Sequence, residues 1–553
     1  MVMSRIAHRA CVTLARGGYH RFKKALEDVE TTQQAVFARQ MKLSATTEVG
    51  TRHGITPDIS LKQFQERVPV TEYEDWREYV ERQREAGGRV ISGMDCQRYQ
   101  PTSGSTSRMK WIPYTQAFLD ELDDALEPWM MDLYRLEPRL RSGRHYWSIS
   151  WVPSSLRNQI DRNVNDDMAL LPWSKRVFIS LTSAVPPWVA YAPTSEASMF
   201  ASLCQLAACD DLSFISVWSP TFALNLLNEL SAQRDAVAEA LESGRWDDHA
   251  RGFEDRPCPR NRTAAARLKA WDGKLDSAFF SELWPRLGLI SAWDTSSSAA
   301  WARKLHSYFP DATFQGKGLW ATEGVVTIPF EGAYPLAVRS HFYEFMDLNT
   351  EEVLPAWRLR EGQEVRPVLT TGSGFLRYAL RDRMAVSGYV GSCPSFTFLG
   401  RLDGTDMVGE KLSPDIAMAA MTVATGSERA LRPLTLMGVQ EPTDGAPFYL
   451  LLCEGPEDAG ADAMRAERAE RHLRGSFHYN LARDLGQLGP VQCLTRPDAL
   501  QLYQLRAAFK GMVAGNMKVE PLFLWNGELP RAISQPLRER EGQSACVDIS
   551  RVV

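Results

Sequence analysis

The amino-acid sequence predicts an α/β protein with a large N-terminal α/β domain and a smaller, mobile C-terminal α+β domain. The chain has 553 residues, more than a single hydrophobic core usually holds. Residues 1–90 carry apolar side chains at helical spacing, as in the stretch from Ala35 to Leu43. Short apolar runs typical of strands then alternate with helical segments, and this alternation is the pattern of α/β folds.

In the first part of the large domain, strands are expected at three apolar runs, residues 146–152, 176–181 and 214–218. The last run ends in Ser219-Pro220, and the helix that follows has either Ser219 or Thr221 as its N-cap. Residues 242–275 are rich in Arg, Asp and Pro and hold one short helix near their end, so we expect an exposed insertion there.

A β-rich subdomain is expected to complete the large domain. Strand-like runs first return at residues 289–293 and 321–330, and the runs at 342–346, 365–370 and 383–389 then indicate the β-rich subdomain. Gly and Asp then cluster around Asp403-Gly404, where we place the domain boundary. The predicted domains are therefore residues 1–400 and 401–553, and the second contains both strand-like and helical segments.

Composition and charge argue against several classes of function. Sixty-three basic and 68 acidic side chains give a net charge of −5, which leaves no broad basic surface for nucleic acid. No run of about 18 apolar residues occurs, so no membrane-spanning segment is expected. The nine cysteines are scattered without a C-x-x-C pair, which favours reduced thiols in a cytoplasmic protein over disulfides or a zinc site.

The most informative stretch is Thr102-Ser103-Gly104-Ser105-Thr106-Ser107-Arg108-Met109-Lys110. Hydroxyl groups, free backbone N–H groups and cations in a short glycine-containing loop are what a polyphosphate needs. The stretch lacks the G-x-x-x-x-G-K-[ST] form of a P-loop, so ordinary NTPase chemistry is not indicated. A polar surface loop is the alternative account of the same residues.

This stretch resembles the phosphate loop of adenylate-forming enzymes, whose form is close to T-S-G-[ST]-T-G-x-x-K. Ser107 stands where that superfamily usually has glycine. The resemblance implies that Lys110 is a catalytic cation and that the loop binds the phosphates of ATP through Thr102, Ser103, Gly104, Ser105 and Thr106.

Four further segments follow in the order that adenylate-forming enzymes require. Together they resemble the acyl-acid amido synthetases first known from plant auxin and jasmonate conjugation, in particular the bacterial branch of that family. The resemblance covers nearly the whole chain, beginning at Gln33. It implies ATP and Mg²⁺ as cofactors, and a carboxylic acid and an amine, with an amino acid the expected amine.

The first of these segments, residues 318–324, resembles the aromatic-x-x-[ST]-E motif that adenylate-forming enzymes place beside the nucleotide. The resemblance implies that Thr322 meets the α-phosphate and that Glu323 helps to hold Mg²⁺, a cation that prefers carboxylate oxygen. Leu319 stands where plant members have tyrosine. A helix-capping Thr–Glu pair at a strand end is the alternative.

The second segment, residues 374–382, resembles the family's L-Y-R-Y-x-x-G-D sequence. The resemblance implies that Tyr378 lies at the nucleotide and that Asp382 accepts hydrogen bonds from the ribose hydroxyls. Arg381 replaces the usual glycine, and an ion pair of Asp382 with Arg381 or Arg383 is the alternative.

The last two segments concern the smaller domain. Residues 400–403 and 409–412 resemble the hinge between the two domains, which implies that Arg401 faces the ribose or a phosphate and that Asp403 is the pivot. A plain β-turn at Asp403-Gly404 accounts for part of the same sequence. Residues 515–521 resemble Q-Y-K-x-P, which implies that Lys518 neutralises the α-phosphate as the carboxylate attacks.

The sequence thus predicts a ligase that adenylates a carboxylic acid with release of pyrophosphate, and then transfers the acyl group to an amine with release of AMP. The acyl pocket is expected near Trp218, Ser219 and Phe222, although aromatic core packing explains these residues equally well. Delivery to a thiol of coenzyme A or a carrier protein is one alternative. A non-catalytic homologue that binds nucleotide or acid is the other. The sequence defines neither the substrates nor the oligomeric state.

Overall fold

The structure is a computed structural model of the chain. It describes residues 2–102, 110–148, 178, 180–246, 252–253, 255–295, 298–402, 404–405, 407–408, 410, 412–426, 428, 430–440, 446–484, 487–503 and 519–525. The chain divides into two compact units, and within the described residues the boundary between them falls between Arg401 and Leu402. Within the described ranges, none of the helices combines the length and apolar character that crossing a bilayer requires.

Five helices open the first unit, as the apolar spacing predicts. They are α1 (Val2–Glu27), α2 (Val29–Ser44), α3 (Glu48–Arg52), α4 (Leu61–Arg67) and α5 (Tyr73–Ala86). Local capping fixes their starts: Asp28, Thr47 and Ser60 each accept a backbone N–H of the first turn.

An antiparallel pair of strands follows, β1 (Cys96–Thr102) and β2 (Lys110–Thr115), in which Thr102 pairs with Lys110. Thr115 then caps α6 (Gln116–Leu136) by accepting the N–H of Phe118 at 3.1 Å. The residues between the two strands, 103–109, lie outside the described part of the chain.

A four-stranded parallel sheet forms the α/β part of the first unit. Its strands are β3 (Arg144–Trp147), β4 (Leu212–Ser216), β5 (Leu289–Ser291) and β6 (Thr313–Gln315), in that spatial order. Between them lie α7 (Ser195–Ala207), α8 (Pro220–Ala232), α9 (Arg234–Ser243), α10 (Arg262–Ala270), α11 (Ser277–Leu283) and α12 (Ala299–Ser307). Every residue of β4 and β5 is buried, as expected for strands covered on both faces.

The strand predicted at residues 176–181 is wrong, because Phe178 and residues 180–182 are helical. The hydroxyl of Thr182 donates to the carbonyl of Phe178 at 2.8 Å, a bond between residues four apart in a helix. A short apolar run has no period that separates a helix from a strand.

The β-rich part of the first unit begins with a small hairpin, β7 (Trp320–Ala321) and β8 (Gly324–Val325). A larger antiparallel sheet has β9 (Phe342–Asp347), β10 (Val353–Pro355), β11 (Glu364–Thr370), β12 (Tyr378–Ala379), β13 (Asp382–Val390) and β14 (Cys393–Arg401). Their order is β10-β9-β11-β13-β14, and β12 pairs with β11. The predicted β-rich subdomain is confirmed.

Gln33 on α2 joins the N-terminal helices to this sheet. Its side-chain amide donates to the carbonyls of Val338 and His341 at 2.7 and 2.9 Å. Its Oε1 accepts the backbone N–H of Tyr343 at 2.9 Å. Because Gln33 is fully buried, these bonds satisfy polar groups that would otherwise be costly in the core.

The second unit has its own sheet and hydrophobic core. Its elements are α13 (Pro414–Thr425), β15 (Arg432–Val439), β16 (Phe448–Glu454), α14 (Ala459–Leu473), α15 (Phe477–Asp484), β17 (Gln492–Arg496) and β18 (Leu522–Trp525). The strand order is β17-β16-β15-β18, with one antiparallel and two parallel pairings. This unit is α+β, and the predicted fold class is confirmed.

Candidate active site

The hairpin β7–β8 presents Thr322 and Glu323 as its two-residue turn, because Ala321 pairs with Gly324. Two tyrosines hold this turn from different strands. The hydroxyl of Tyr114 on β2 donates to the carbonyl of Thr322 at 3.2 Å. The hydroxyl of Tyr378 on β12 donates to Oε1 of Glu323 at 3.1 Å. The structure therefore brings together two motifs that lie 55 residues apart in sequence.

Tyr378 is fixed in this orientation by its surroundings. Its ring stacks on Phe375, with ring centroids 5.0 Å apart. Burial and then the charge of Glu323 raise the pKa of Tyr378 far above its ordinary value, so its hydroxyl keeps its proton as a donor. The bond occupies one oxygen of the partly buried Glu323 carboxylate, and this group has the oxygen chemistry that suits Mg²⁺.

Arg377, next to Tyr378, adopts a left-handed backbone conformation with φ of 48°. Its buried guanidinium bonds Oε2 of Glu344 at 2.9 Å and the carbonyl of Val68 at 2.7 Å. The backbone of Thr71 pairs on both sides of Tyr378, by donating to Arg377 O and accepting from Ala379 N, each at 2.9 Å. These contacts hold a conformation that non-glycine residues rarely adopt.

A buried carboxylate–imidazole pair lies behind the hairpin. Glu121 on α6 accepts the backbone N–H of Gly372 and lies 2.6 Å from Nδ1 of His341. The N–H of Val325 on β8 donates to Nε2 of His341 at 3.1 Å. Because a backbone N–H only donates, Nε2 is the acceptor, and the ring proton on Nδ1 faces Glu121. A Cβ on Gly324 would lie 2.8 Å from Nε2, so glycine is required for this close approach.

Asp382 and Arg401 face each other at one end of the large sheet, where β13 and β14 pair them in register. Nε of Arg401 lies 3.7 Å from Oδ1 of Asp382. Asp382 is buried while Arg401 is exposed. Arg381, one of the alternative partners of Asp382 in the sequence, pairs with Glu72 at 3.0 Å.

Lys110 begins β2, and its ammonium lies 5.5 Å from the centre of the Tyr73 ring. The Tyr73 hydroxyl donates to the carbonyl of Trp111 and accepts its N–H, at 3.2 and 2.6 Å. These bonds fix the ring over which Lys110 lies. The other residues predicted for the site lie outside the described part of the chain: Ser103, Gly104, Ser105, Thr106, the side chain of Thr102, the predicted hinge residue Asp403 and the predicted catalytic residue Lys518.

The predicted acyl-pocket residues follow β4. The ring of Trp218 is 5.8 Å from that of Trp293 and 6.1 Å from that of Trp320. Ser219 is the N-cap of α8, and its hydroxyl lies 2.6 Å from that of Thr221, so this side chain is occupied by capping. Phe222 is buried in the first turn of the helix. Of the three residues, Trp218 is the partly exposed one.

Sequence reasoning missed Lys317, a buried lysine beside this aromatic group. Its Nζ donates to the hydroxyls of Ser216 and Ser291, at 2.8 and 3.3 Å. It also lies 5.0 Å from the ring centres of Trp129 and Trp218. Burial lowers the pKa of Lys317 to about 7. In the sequence, this site is indicated by a lysine that lies between Gly316 and Gly318 and precedes apolar residues.

Solved structures with the same architecture place the protein in a class. An acyl acid amido synthetase, AtGH3.15 in complex with 2,4-DB, superposes with a TM-score of 0.76. That comparison covers 93% of this chain and 94% of the other, at 18% sequence identity. The fold is therefore that of the acyl acid amido synthetases.

The sequence identifies the family itself. Residues 18–314 match the GH3 family N-terminal domain, and residues 334–401 match the GH3 family central domain. The chain belongs to the GH3 family.

Curated relatives agree with this assignment. A putative indole-3-acetic acid-amido synthetase, GH3.10 of Oryza sativa subsp. japonica, is 21% identical over 431 residues, which is 73% of this chain and 85% of the relative. Indole-3-acetic acid-amido synthetase GH3.15 of Arabidopsis thaliana is also 21% identical, over 68% of this chain and 69% of its own length.

Proposed function

We propose that this protein is an ATP-dependent acyl-acid amido synthetase. A carboxylate oxygen attacks the α-phosphorus of ATP, pyrophosphate leaves, and an acyl-adenylate forms. The nitrogen of an amino acid then attacks the acyl carbon, and AMP leaves as the amide forms. The mixed anhydride makes the carbonyl electrophilic, so no covalent acyl-enzyme is needed.

The observation that carries the proposal is the turn Thr322–Glu323, held by the hydroxyls of Tyr114 and Tyr378. Tyr114 lies on the strand that Lys110 begins, and Tyr378 precedes Asp382 by four residues. The turn therefore links a cation beside the phosphate loop, a carboxylate and the predicted ribose-binding residue. Preorganised groups of this kind stabilise charge on a transferring phosphoryl group.

We assign roles to the remaining residues on their motifs. Lys110 and the loop residues Thr102, Ser103, Gly104, Ser105 and Thr106 neutralise the phosphates, Asp382 and Arg401 hold the ribose, and Lys518 neutralises the α-phosphate during attack. Asp403 is the hinge between domains 1–400 and 401–553. Bound to Glu323, Mg²⁺ would offset the negative charge of the triphosphate.

Trp218 supports an aromatic or apolar acid as the substrate, because its partly exposed ring lies beside those of Trp293 and Trp320. The names of the rice and Arabidopsis relatives, indole-3-acetic acid-amido synthetases, point in the same direction. We further infer that the enzyme is cytoplasmic and belongs to the bacterial branch of the family. Leu319, which stands where plant members have tyrosine, supports the second of these inferences.

The test is pyrophosphate release from Mg²⁺-ATP with pooled carboxylic acids and pooled amino acids, followed by mass spectrometry of the products. We expect acid-dependent pyrophosphate and a new amide mass. Lys518→Ala should abolish release, whereas the same change at Lys62, whose side chain is 87% exposed, should not. Products that form only with coenzyme A in place of amino acids would show a thioester-forming enzyme. Nucleotide binding without pyrophosphate release would overturn the assignment as a ligase.

A further inference from the structure

Lys317 and its two serines lie where ligands bind in open parallel sheets. Ser216 is the last residue of β4, Ser291 is the last residue of β5, and Lys317 follows the end of β6 by two residues. These are the carboxyl ends of three neighbouring strands. Crevices outside the carboxyl ends of such strands are the usual ligand sites of this kind of sheet.

The charge of Lys317 has no anionic partner in the part of the chain that the structure describes. Its side chain is 3% exposed, and two serine hydroxyls take two of its three N–H groups. Asp294 lies close to the neighbouring Gly316, but its hydrogen-bond partner is the hydroxyl of Tyr334. A buried ammonium without a counter-ion is costly, and a bound anion would remove that cost.

Two further polar groups at the same sheet edge are also unsatisfied. Nε1 of Trp147 and Oγ of Ser148, at the end of β3, are buried and have no hydrogen-bond partner among the described residues. The N–H of Ser148 donates to the carbonyl of Ser216, and the ring of Trp147 lies 6.2 Å from that of Trp129. Buried polar groups without partners in a native structure point to an absent ligand or water.

We propose that Lys317, Ser216 and Ser291 form a subsite for a second carboxylate, carried by the acyl substrate at the end remote from the reacting carboxyl group. The substrate class is therefore a dicarboxylic acid with an apolar body that packs against Trp129 and Trp218. This inference rests on the proposed function. The pKa of about 7 is consistent with it, because little free energy is then needed to charge Lys317 at neutral pH when the anion binds.

The test compares matched acids in binding titrations followed by tryptophan fluorescence, which Trp129 and Trp218 beside the ammonium make sensitive to this site. The pairs are benzoate with terephthalate, phenylacetate with 1,4-phenylenediacetate, and hexanoate with adipate. For at least one pair, the protein should bind the diacid about 10-fold more tightly than the monoacid.

Lys317→Met should bring that preference to near unity, and Lys62→Met, at an exposed lysine, should leave it unchanged. Ser291→Ala keeps the lysine and removes one hydroxyl, and it should reduce the preference about 3-fold. If Lys317→Met fails to fold, the diacid preference of Ser291→Ala tests the subsite in its place. Equal binding of both acids in every pair would overturn the proposal. So would a preference that survives in Lys317→Met.

Two further measurements distinguish an acyl subsite from an acceptor site, and a wrong subsite from a wrong ligase assignment. If amino acids rather than diacids lose binding in Lys317→Met, the anion is the acceptor's carboxylate and the acyl subsite is wrong. Pyrophosphate exchange with monoacids but no diacid preference would overturn the subsite alone. A diacid preference in binding without any exchange would leave the subsite intact and overturn the ligase.

Discussion

The Tyr378 hydroxyl donates a hydrogen bond to the Glu323 carboxylate across 3.1 Å, and the two residues belong to different sheets. Tyr378 lies on β12 and Glu323 lies in the β7–β8 turn. The bond orients the carboxylate that the two-residue turn presents. Its loss should therefore affect the geometry of the site more than the stability of the fold.

Tyr378→Phe removes only this donor, because the ring remains to stack on Phe375. A hydrogen bond to a charged group contributes about 1.5–3 kcal/mol, so we expect the rate of adenylation to fall about 10-fold or more. The apparent Mg²⁺ requirement should rise. Pyrophosphate exchange over a Mg²⁺ titration measures both. Tyr389→Phe, at a tyrosine whose hydroxyl donates to the carbonyl of Leu359, is the control. Equal Mg²⁺ curves for the Tyr378 variant and the unmodified protein would contradict the role of the bond.

Gly324→Ala should destabilise the first unit, because the new Cβ would meet Nε2 of His341 at 2.8 Å. Displacing the ring breaks its bonds to Val325 and Glu121, and overpacking in a core costs about 1–3 kcal/mol. Denaturant unfolding measures the change. Gly460→Ala, in the first turn of helix α14 with no contact closer than 3.5 Å, should not destabilise the protein and is the control. An unaltered unfolding midpoint for Gly324→Ala would show that the imidazole adjusts without cost.

Asp382→Asn should raise the KM for ATP about 10-fold, because an amide accepts weaker hydrogen bonds from the ribose than a carboxylate does. Stability should change little, since the pair with Arg401 spans 3.7 Å and the arginine side chain is 42% exposed. Steady-state kinetics and thermal unfolding separate the two effects. Glu364→Gln removes a partly exposed ion pair with Arg383 and is the matched control. A variant with reduced stability and normal KM would assign Asp382 to the fold.

Stability should fall as the pH falls below about 6.5, because His145 is buried without charge. Burial, and then the neighbouring His8, lower the pKa of His145 from 6.5 to about 3. At pH values between about 3 and 6.5, His145 of the unfolded chain binds a proton that the folded chain does not. Lowering the pH therefore favours unfolding by up to about 1.4 kcal/mol per pH unit. The pKa of His8 is also lowered by burial, which adds to the trend.

Denaturant midpoints at pH 7.5, 6.5 and 5.5 measure this dependence. His145→Gln should flatten it, whereas His20→Gln, at an exposed histidine of α1, should not. If the slope between pH 6.5 and 5.5 is the same with and without His145, another group causes the acid sensitivity.

The sequence correctly predicted those helix starts and strands that short stretches of neighbouring residues determine. Ser219 was one of two candidate N-caps, and the structure selects it because its hydroxyl lies near the N–H of Thr221. The strands at 342–346 and 365–370 were likewise correct, since each carries its own apolar pattern. The segment at 176–181 failed because a short apolar run has no period that separates helix from strand.

The contacts that build the candidate site join distant residues, and no local pattern reveals them. Tyr114 is 208 residues from Thr322, and Lys317 is 101 residues from Ser216. Motif resemblance pointed to Glu323 and Tyr378 separately but did not predict their hydrogen bond. Lys317 had no motif at all, and its significance comes entirely from the serines and indoles that folding places around it.

The bonds of Gln33 have a consequence for how the protein is made. Its partner Tyr343 emerges from the ribosome 310 residues later. At about 5–20 residues per second, translation of that stretch takes about 15–60 s. During this time the N-terminal helices exist without the sheet that covers them, and their apolar faces are open to other chains. Chaperones that shield exposed apolar surface would protect such an unfinished chain during synthesis.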